Sequence, residues 1–311
     1  MLFAWDRRNT LCERLALIIL ASSWLMAGCP EVAGAQETSK QQAASPRTII
    51  LPQKVVAGQK VTLAVIDGAG RLLPNVAVEL SGGQMVTTDS TGRALFQAPT
   101  APGTLIAKIS GTGISASSTG VPEADGTTQR SSEAGVPGLE VTLYPRVLTV
   151  HDRFAIVGNG FHGWADLNHI FLADRQCLVI AASPVSLEVL PGPHIPVGPT
   201  TLRVSVDGHD VRPIPVTAVL LDFSGPADVP TAGADGKLIL RIHGTTEPLA
   251  VEVRNGSPRI IQLLRGNLQR LGTSGGEQNI APVQLKFLAS GDYTITARLV
   301  PADSGNPQRR D

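Results

Sequence analysis

The chain has 311 residues, which at ~150 residues per domain allows two to three folded units. Lysine plus arginine number 26, as do aspartate plus glutamate, so no basic excess is present to grip the phosphates of a nucleic acid. An apolar fraction of 42 % can fill real cores, but with aromatics at 4 % those cores must be small and aliphatic, and 32 glycines with 23 prolines suit many short strands joined by tight turns.

The first residues read as a leader and not as fold. Arg7, Arg8 and Arg14 supply a positive region, and Leu15 to Gly28 is an apolar run of the length of a secretory signal. The run is short for a membrane span, which needs ~20 residues. Ala33-Gly34-Ala35 is a small-residue cleavage site and would release the chain at Gln36. Leu25-Met26-Ala27-Gly28-Cys29 competes with it. That stretch resembles a bacterial lipobox, which implies a lipid-modified Cys29 at the mature N-terminus, although Met26 departs from the usual leucine. The position of Cys29 at the end of the apolar run leans towards the anchor, and an uncleaved signal anchor is the remaining alternative. The expectation is an exported protein, either an outer-membrane or periplasmic lipoprotein or a secreted one, meeting a membrane only through that anchor or segment. Cys12 lies in the leader, so Cys177 has no intramolecular partner and reads as a small buried hydrophobe in Gln176-Cys177-Leu178-Val179-Ile180.

After a polar tether at 36–47, the first module is expected at 48–121. Val61, Leu63 and Val65 alternate with smaller or polar residues, as do Val76, Val78 and Leu80, and later Leu105, Ala107 and Ile109. Gly68-Ala69-Gly70, Gly82-Gly83 and Asp89-Ser90-Thr91-Gly92 supply turns between these runs. Val56-Ala57-Gly58-Gln59 followed by VTLAVID, Leu73-Pro74-Asn75-Val76, TTDSTGRALFQAP and Pro102-Gly103 resembles bacterial Ig-like modules, which implies a β-sandwich and says little of function.

Residues 122–137 are polar and read as an interdomain linker. A second module is expected at 138–221. Leu139, Val141 and Leu143 alternate ahead of Pro145, Phe154 to Phe161 forms a strand ending in Gly158-Asn159-Gly160-Phe161, and Pro196-Val197-Gly198 leads to Leu202, Val204 and Val206. This arrangement resembles an IPT/TIG domain, which implies an Ig-like sandwich. Gly158-x-Gly160 lacks the third glycine and the following helix of a dinucleotide loop, so these glycines are expected to shape a strand end that tucks Phe161 onto the core.

A third module is expected at 222–301. Leu238, Leu240 and Ile242 alternate, as do Leu249, Val251 and Val253, then Val283, Leu285 and Phe287, then Tyr293, Ile295 and Ala297. Ser257-Pro258 followed by Ile260, Ile261, Leu264, Leu268, Leu271 and Gly272 fits a capped helix, while Gly266-Asn267 argues for a turn between two strands. Strands are preferred because every other element is β. Residues 302–311 form a polar tail. The expected fold class is all-β, tandem Ig-like β-sandwich modules after an N-terminal signal segment.

Chemistry is sparse. His162, Asp166 and His169, with Asp174 nearby, have the residue types of a zinc site, but Gly163 and the surrounding strands oppose a common helix face, so a polar loop is preferred. Asp89, Asp125, Asp207 and Asp210 fall at turns or in the linker, where aspartate bonds its own backbone. No nucleophile elbow, metalloprotease helix or phosphate loop occurs. Asn255-Gly256-Ser257 matches a glycosylation acceptor that a bacterial-type leader leaves idle. Phe161 and Trp164 could form an exposed platform for sugar stacking, against the alternative that both pack at the sandwich end. No catalytic residue, cofactor or metal is expected. The expected function is a non-enzymatic cell-envelope or surface protein whose modules serve as spacer and interaction platform, with a carbohydrate-binding accessory protein as the alternative. The partner is a protein or a glycan.

Overall fold

The computed structural model describes residues 47–101, 103–121, 138–225 and 231–300. The leader with Cys29, the linker at 122–137 and the tail at 302–311 lie outside them. Among the described residues there is no α-helix, and no helix long and apolar enough to cross a membrane.

The first module contains β1 (Thr48–Ile50), β2 (Lys54–Val56), β3 (Lys60–Ile66), β4 (Ala77–Leu80), β5 (Met85–Thr87), β6 (Arg93–Gln97), β7 (Thr104–Ile109) and β8 (Ser115–Val121). Strands β1, β3 and β6 form one layer, and β2-β8-β7-β4-β5 forms the other. Between them Val61, Leu63, Val65, Val78, Leu105 and Ile109 make an aliphatic core. The burial pattern of β7, in which alternate residues are buried, is the pleat written out in side chains.

The second module contains β9 (Glu140–Leu143), β10 (Val147–Thr149), β11 (Phe154–Asn159), a 3-10 turn (Ala165–Leu167), β12 (Asn168–Leu172), β13 (Arg175–Ser183), β14 (Ser186–Leu190), β15 (Gly198–Val206), β16 (His209–Asp210) and β17 (Ile214–Ser224). Its core gathers Ile156, Phe161, Ile170, Leu187, Leu202 and Val204. Gly158 stands where the β9–β11 register shifts. A Cβ there would fall 1.9 Å from the Glu140 carbonyl oxygen and 3.0 Å from the Phe161 ring. The glycine therefore admits the neighbouring strand and the returning Phe161 together, which is the role the sequence suggests for it.

The third module contains β18 (Asp235–His243), β19 (Ala250–Asn255), β20 (Ile261–Leu263), β21 (Leu268–Gly272), β22 (Ile280–Phe287) and β23 (Ile295–Leu299). Sheets β20-β22-β18-β17 and β21-β19-β23 enclose Leu240, Val251, Val253, Leu263, Leu285 and Phe287. Residues 257–272 thus form two strands joined around Gly266, and the helix template fails. Ile261 and Leu263 are buried while Gln262 between them is exposed, a period of two that no helix provides.

Strand β17 belongs to two sandwiches. Its first half pairs with β15 from Ile214 to Ala218, and its second half pairs with β18 from Leu220 to Ser224. The expected boundary between residues 221 and 222 falls inside this strand. The first and second modules are also joined, by pairing of Thr62 with Ala182 and by a small apolar cluster of Ile50, Ala64, Ile180 and Ala181.

Candidate functional site

The sequence between β11 and β12 crosses the seam between the first two modules, and three polar residues fix its path. Asn168, buried at the start of β12, accepts a hydrogen bond on Oδ1 from the His162 N–H at 2.9 Å. Its Nδ2 donates to the carbonyls of His162 at 2.9 Å and Trp164 at 2.8 Å. One amide therefore satisfies three loop backbone groups, which explains why a polar side chain is buried here. Across the seam, Thr62 Oγ1 donates to the Gly163 carbonyl at 2.6 Å and accepts from the Ala165 N–H at 3.3 Å.

Arg93 closes the other side. It starts β6, is buried, and donates from Nη1 to the Val179 carbonyl at 3.2 Å. Nη2 donates to Asp166 Oδ2 at 3.1 Å, and Nη1 lies 2.7 Å from Asp166 Oδ1, so the guanidinium grips the carboxylate with both arms. Nε donates to the Thr91 hydroxyl at 3.1 Å. Asp89 below it accepts from the Thr91 hydroxyl, and this bond chiefly holds the Asp89 carboxyl below its ordinary range.

Trp164 emerges from this frame with 48 % of its surface exposed, and Lys60 Nζ stands 5.3 Å from its ring centroid, a cation–π contact. Beside the ring lies a shallow recess of about 240 Å³ lined by Thr62, Asp89, Arg93, Leu95, Trp164, Ala165 and Asp166. Sites that engulf a ligand are typically ~300 Å³ or larger, so this one suits a ligand lying across the surface.

The structure parts the two aromatics of the expected platform. Phe161 is only 5 % exposed and belongs to the second core, so the platform reduces to Trp164. The His/Asp cluster also disperses. His162 Nε2 pairs with Asp207, Asp166 is held by Arg93, and Asp174 lies 3.0 Å from Arg203. His169 sits on an exposed position of β12 opposite Ser205. Among the described residues no group of three metal-ligating side chains converges. Cys177 is buried in the second core, and burial pushes its thiol pKa up. Asn255 is buried too, with Nδ2 donating to the Ile261 carbonyl at 2.7 Å, so its amide is committed inside the fold. Thr62, Arg93 and Asn168, which build the seam, escaped the sequence reading. Of the three, only Asn168 lies close in sequence to Trp164, four residues on.

One buried carboxyl gives the second module a pH signature. Glu188 on β14 is pushed up to about 7 from 4.5 by burial, against an opposing pull from Arg153, whose Nε lies 4.0 Å away. Between those values the folded chain holds a proton that the unfolded chain releases. The resulting stabilisation is full below pH 4.5 and is lost as pH rises through 7. The expected loss is about 3 kcal/mol. Denaturant titrations across this window should show that slope, and Glu188→Gln should flatten it; an equal slope in the variant would contradict the assignment.

No protein-family model matches the sequence, and no curated protein matches it. Solved structures overlap it loosely. A Bacteroides ovatus mixed-linkage glucan utilization locus protein, SGBP-B, in complex with a heptasaccharide, is 12 % identical over 79 % of this chain and 73 % of that one, with a TM-score of 0.26. The plexin A4 extracellular region is 9 % identical over 84 % of this chain, with a TM-score of 0.31, and the chain spans 33 % of its length. The surface-layer protein SbsC, domains 1–6, is 17 % identical over 81 % of this chain, with a TM-score of 0.18, and the chain spans 38 % of its length. Overlaps of this quality do not carry a function across.

Proposed function

We propose that this chain is a non-enzymatic, exported cell-envelope or surface protein whose Ig-like modules at 48–121, 138–221 and 222–301 act as a stiff spacer and interaction platform, the second being of IPT/TIG type. The observation that carries this reading is the way the modules are joined. A single strand, β17, serves two cores, and a buried arginine with a paired strand locks the other seam. A spacer needs such joints, because relative motion is the default where interfaces are small. Membrane fractionation combined with the mass of the mature N-terminus tests export and separates a lipid-modified Cys29 from a free Gln36. Enzyme-like turnover of glycans, peptides or esters by the purified mature chain would defeat the reading.

A second reading, carbohydrate binding, is favoured by Trp164. A half-exposed indole beside a recess carrying an arginine and two carboxylates offers stacking and hydrogen bonding together. On an array of neutral glycans, Trp164→Ala should weaken binding roughly tenfold while leaving thermal unfolding nearly unchanged, since the ring already faces water. Undiminished binding by the variant would remove this site from consideration.

A further inference from the structure

The outer face of sheet β21-β19-β23 concentrates positive charge in a chain whose net charge is zero. Val251 and Val253 point into the core, so Glu252 between them faces outward. Strand register puts Arg270 of β21 opposite it on one side and Arg298 of β23 opposite it on the other. Arg254 follows two residues along β19, on the same face. The glutamate side chain is only 5 % exposed beneath these arginines, which are themselves 61 %, 74 % and 65 % exposed for Arg254, Arg270 and Arg298.

One carboxylate cannot balance three guanidiniums, so the face keeps two net positive charges. Nor does it consume their donors. Arg298 Nη2 approaches Glu252 Oε1 to 2.5 Å, yet that oxygen has no aligned hydrogen-bond partner. Arg254 and Arg270 stand off at 3.8 and 3.9 Å, beyond hydrogen-bonding distance. Their planar N–H forks remain available to a second acceptor.

We propose that this face docks an acidic polysaccharide, its carboxylates or sulfates bridging the arginines, with Glu252 offsetting only part of their charge. Strands ~4.8 Å apart set Arg270 and Arg298 roughly 10 Å from each other, so an extended polymer with recurring charges engages both. An acidic peptide would ordinarily bind a sheet through the backbone of an edge strand, whereas these charges meet across the face, centred on β19. Two net charges fall short of the ~4–8 basic residues that recruit an anionic membrane. Leu268, exposed on the same face beside Arg254, adds an apolar surface for the C–H side of a sugar ring.

The test uses the mature chain with polygalacturonate, polyglutamate and anionic phosphatidylglycerol vesicles as probes. Arg254→Gln with Arg270→Gln leaves the Arg298–Glu252 pair intact and should lower polygalacturonate affinity about tenfold. Glu252→Gln should raise that affinity, and the wild-type affinity should fall with added salt. A purely structural ion cluster predicts no polygalacturonate binding, or binding unmoved by any of the three substitutions, and either result overturns the proposal. Selective binding of polyglutamate or of vesicles also overturns it. Trp164→Ala, in a different module, should leave polygalacturonate binding unchanged; a loss there would move the site to the recess.

Discussion

Gly163→Val is expected to undock the first module from the second, at a cost of about 3 kcal/mol. Any side chain at this position meets backbone, because a Cβ would lie 1.9 Å from the Lys60 carbonyl oxygen and 2.5 Å from its carbon. Lys60 begins β3, which is paired with β1 and β6 and touches β13 at Thr62. The strand cannot retreat without breaking those ladders, so the loop must move instead. That displacement takes the Gly163 carbonyl off Thr62 and loosens the grip of Arg93 on Asp166. Overpacking contributes ~1–3 kcal/mol and the broken hydrogen bonds about 1 kcal/mol more. Calorimetry should show the melting of the first module separating from the rest, and proteolysis should find new cuts near the seam. A wild-type unfolding profile for the variant would mean that the seam is not a rigid joint.

Phe287→Ala should cost about 4 kcal/mol, within the range for emptying a buried aromatic site. The ring is among the largest fully buried side chains, packs edge-on against Tyr293 at 5.7 Å, and covers Gly236 on the neighbouring strand. Its loss should not stay within the third module. Because β17 completes both sandwiches, amide-exchange protection is expected to fall together in β18, in β22 and along the whole of β17, into residues that pair with β15. Protection confined to its wild-type level from Ile214 to Ala218 would show that the two cores unfold independently.

Much of the architecture was legible in single residues. Where a strand covers one core and faces water on the other side, as in β7, β18 and β22, alternation names both its existence and its inner face. Strand β13 escaped this logic. Its last five residues are all buried, because Ile180 and Ala181 meet Ile50 and Ala64 of the first module while their neighbours face the second core. Burial on both sides erases the period of two, so nothing in Gln176 to Ser183 announced a joint. The seam's polar residues gave no joint away: Thr62 and Arg93 lie far in the chain from Asp166 and Asn168, and the four acquire their shared meaning only when docked. Phe161 and Trp164, three residues apart, have opposite fates because the chain folds back over Gly158 before it crosses to the neighbouring module.

The shared strand also bears on how such a chain can be inherited. A break at residue 221 or 222 would cut the β17 ladder in two and leave Ile242 and His243 of the downstream sandwich without their partners Leu221 and Leu220, an unpaired edge that invites aggregation. The last two sandwiches can therefore be duplicated, shuffled or lost only as a pair.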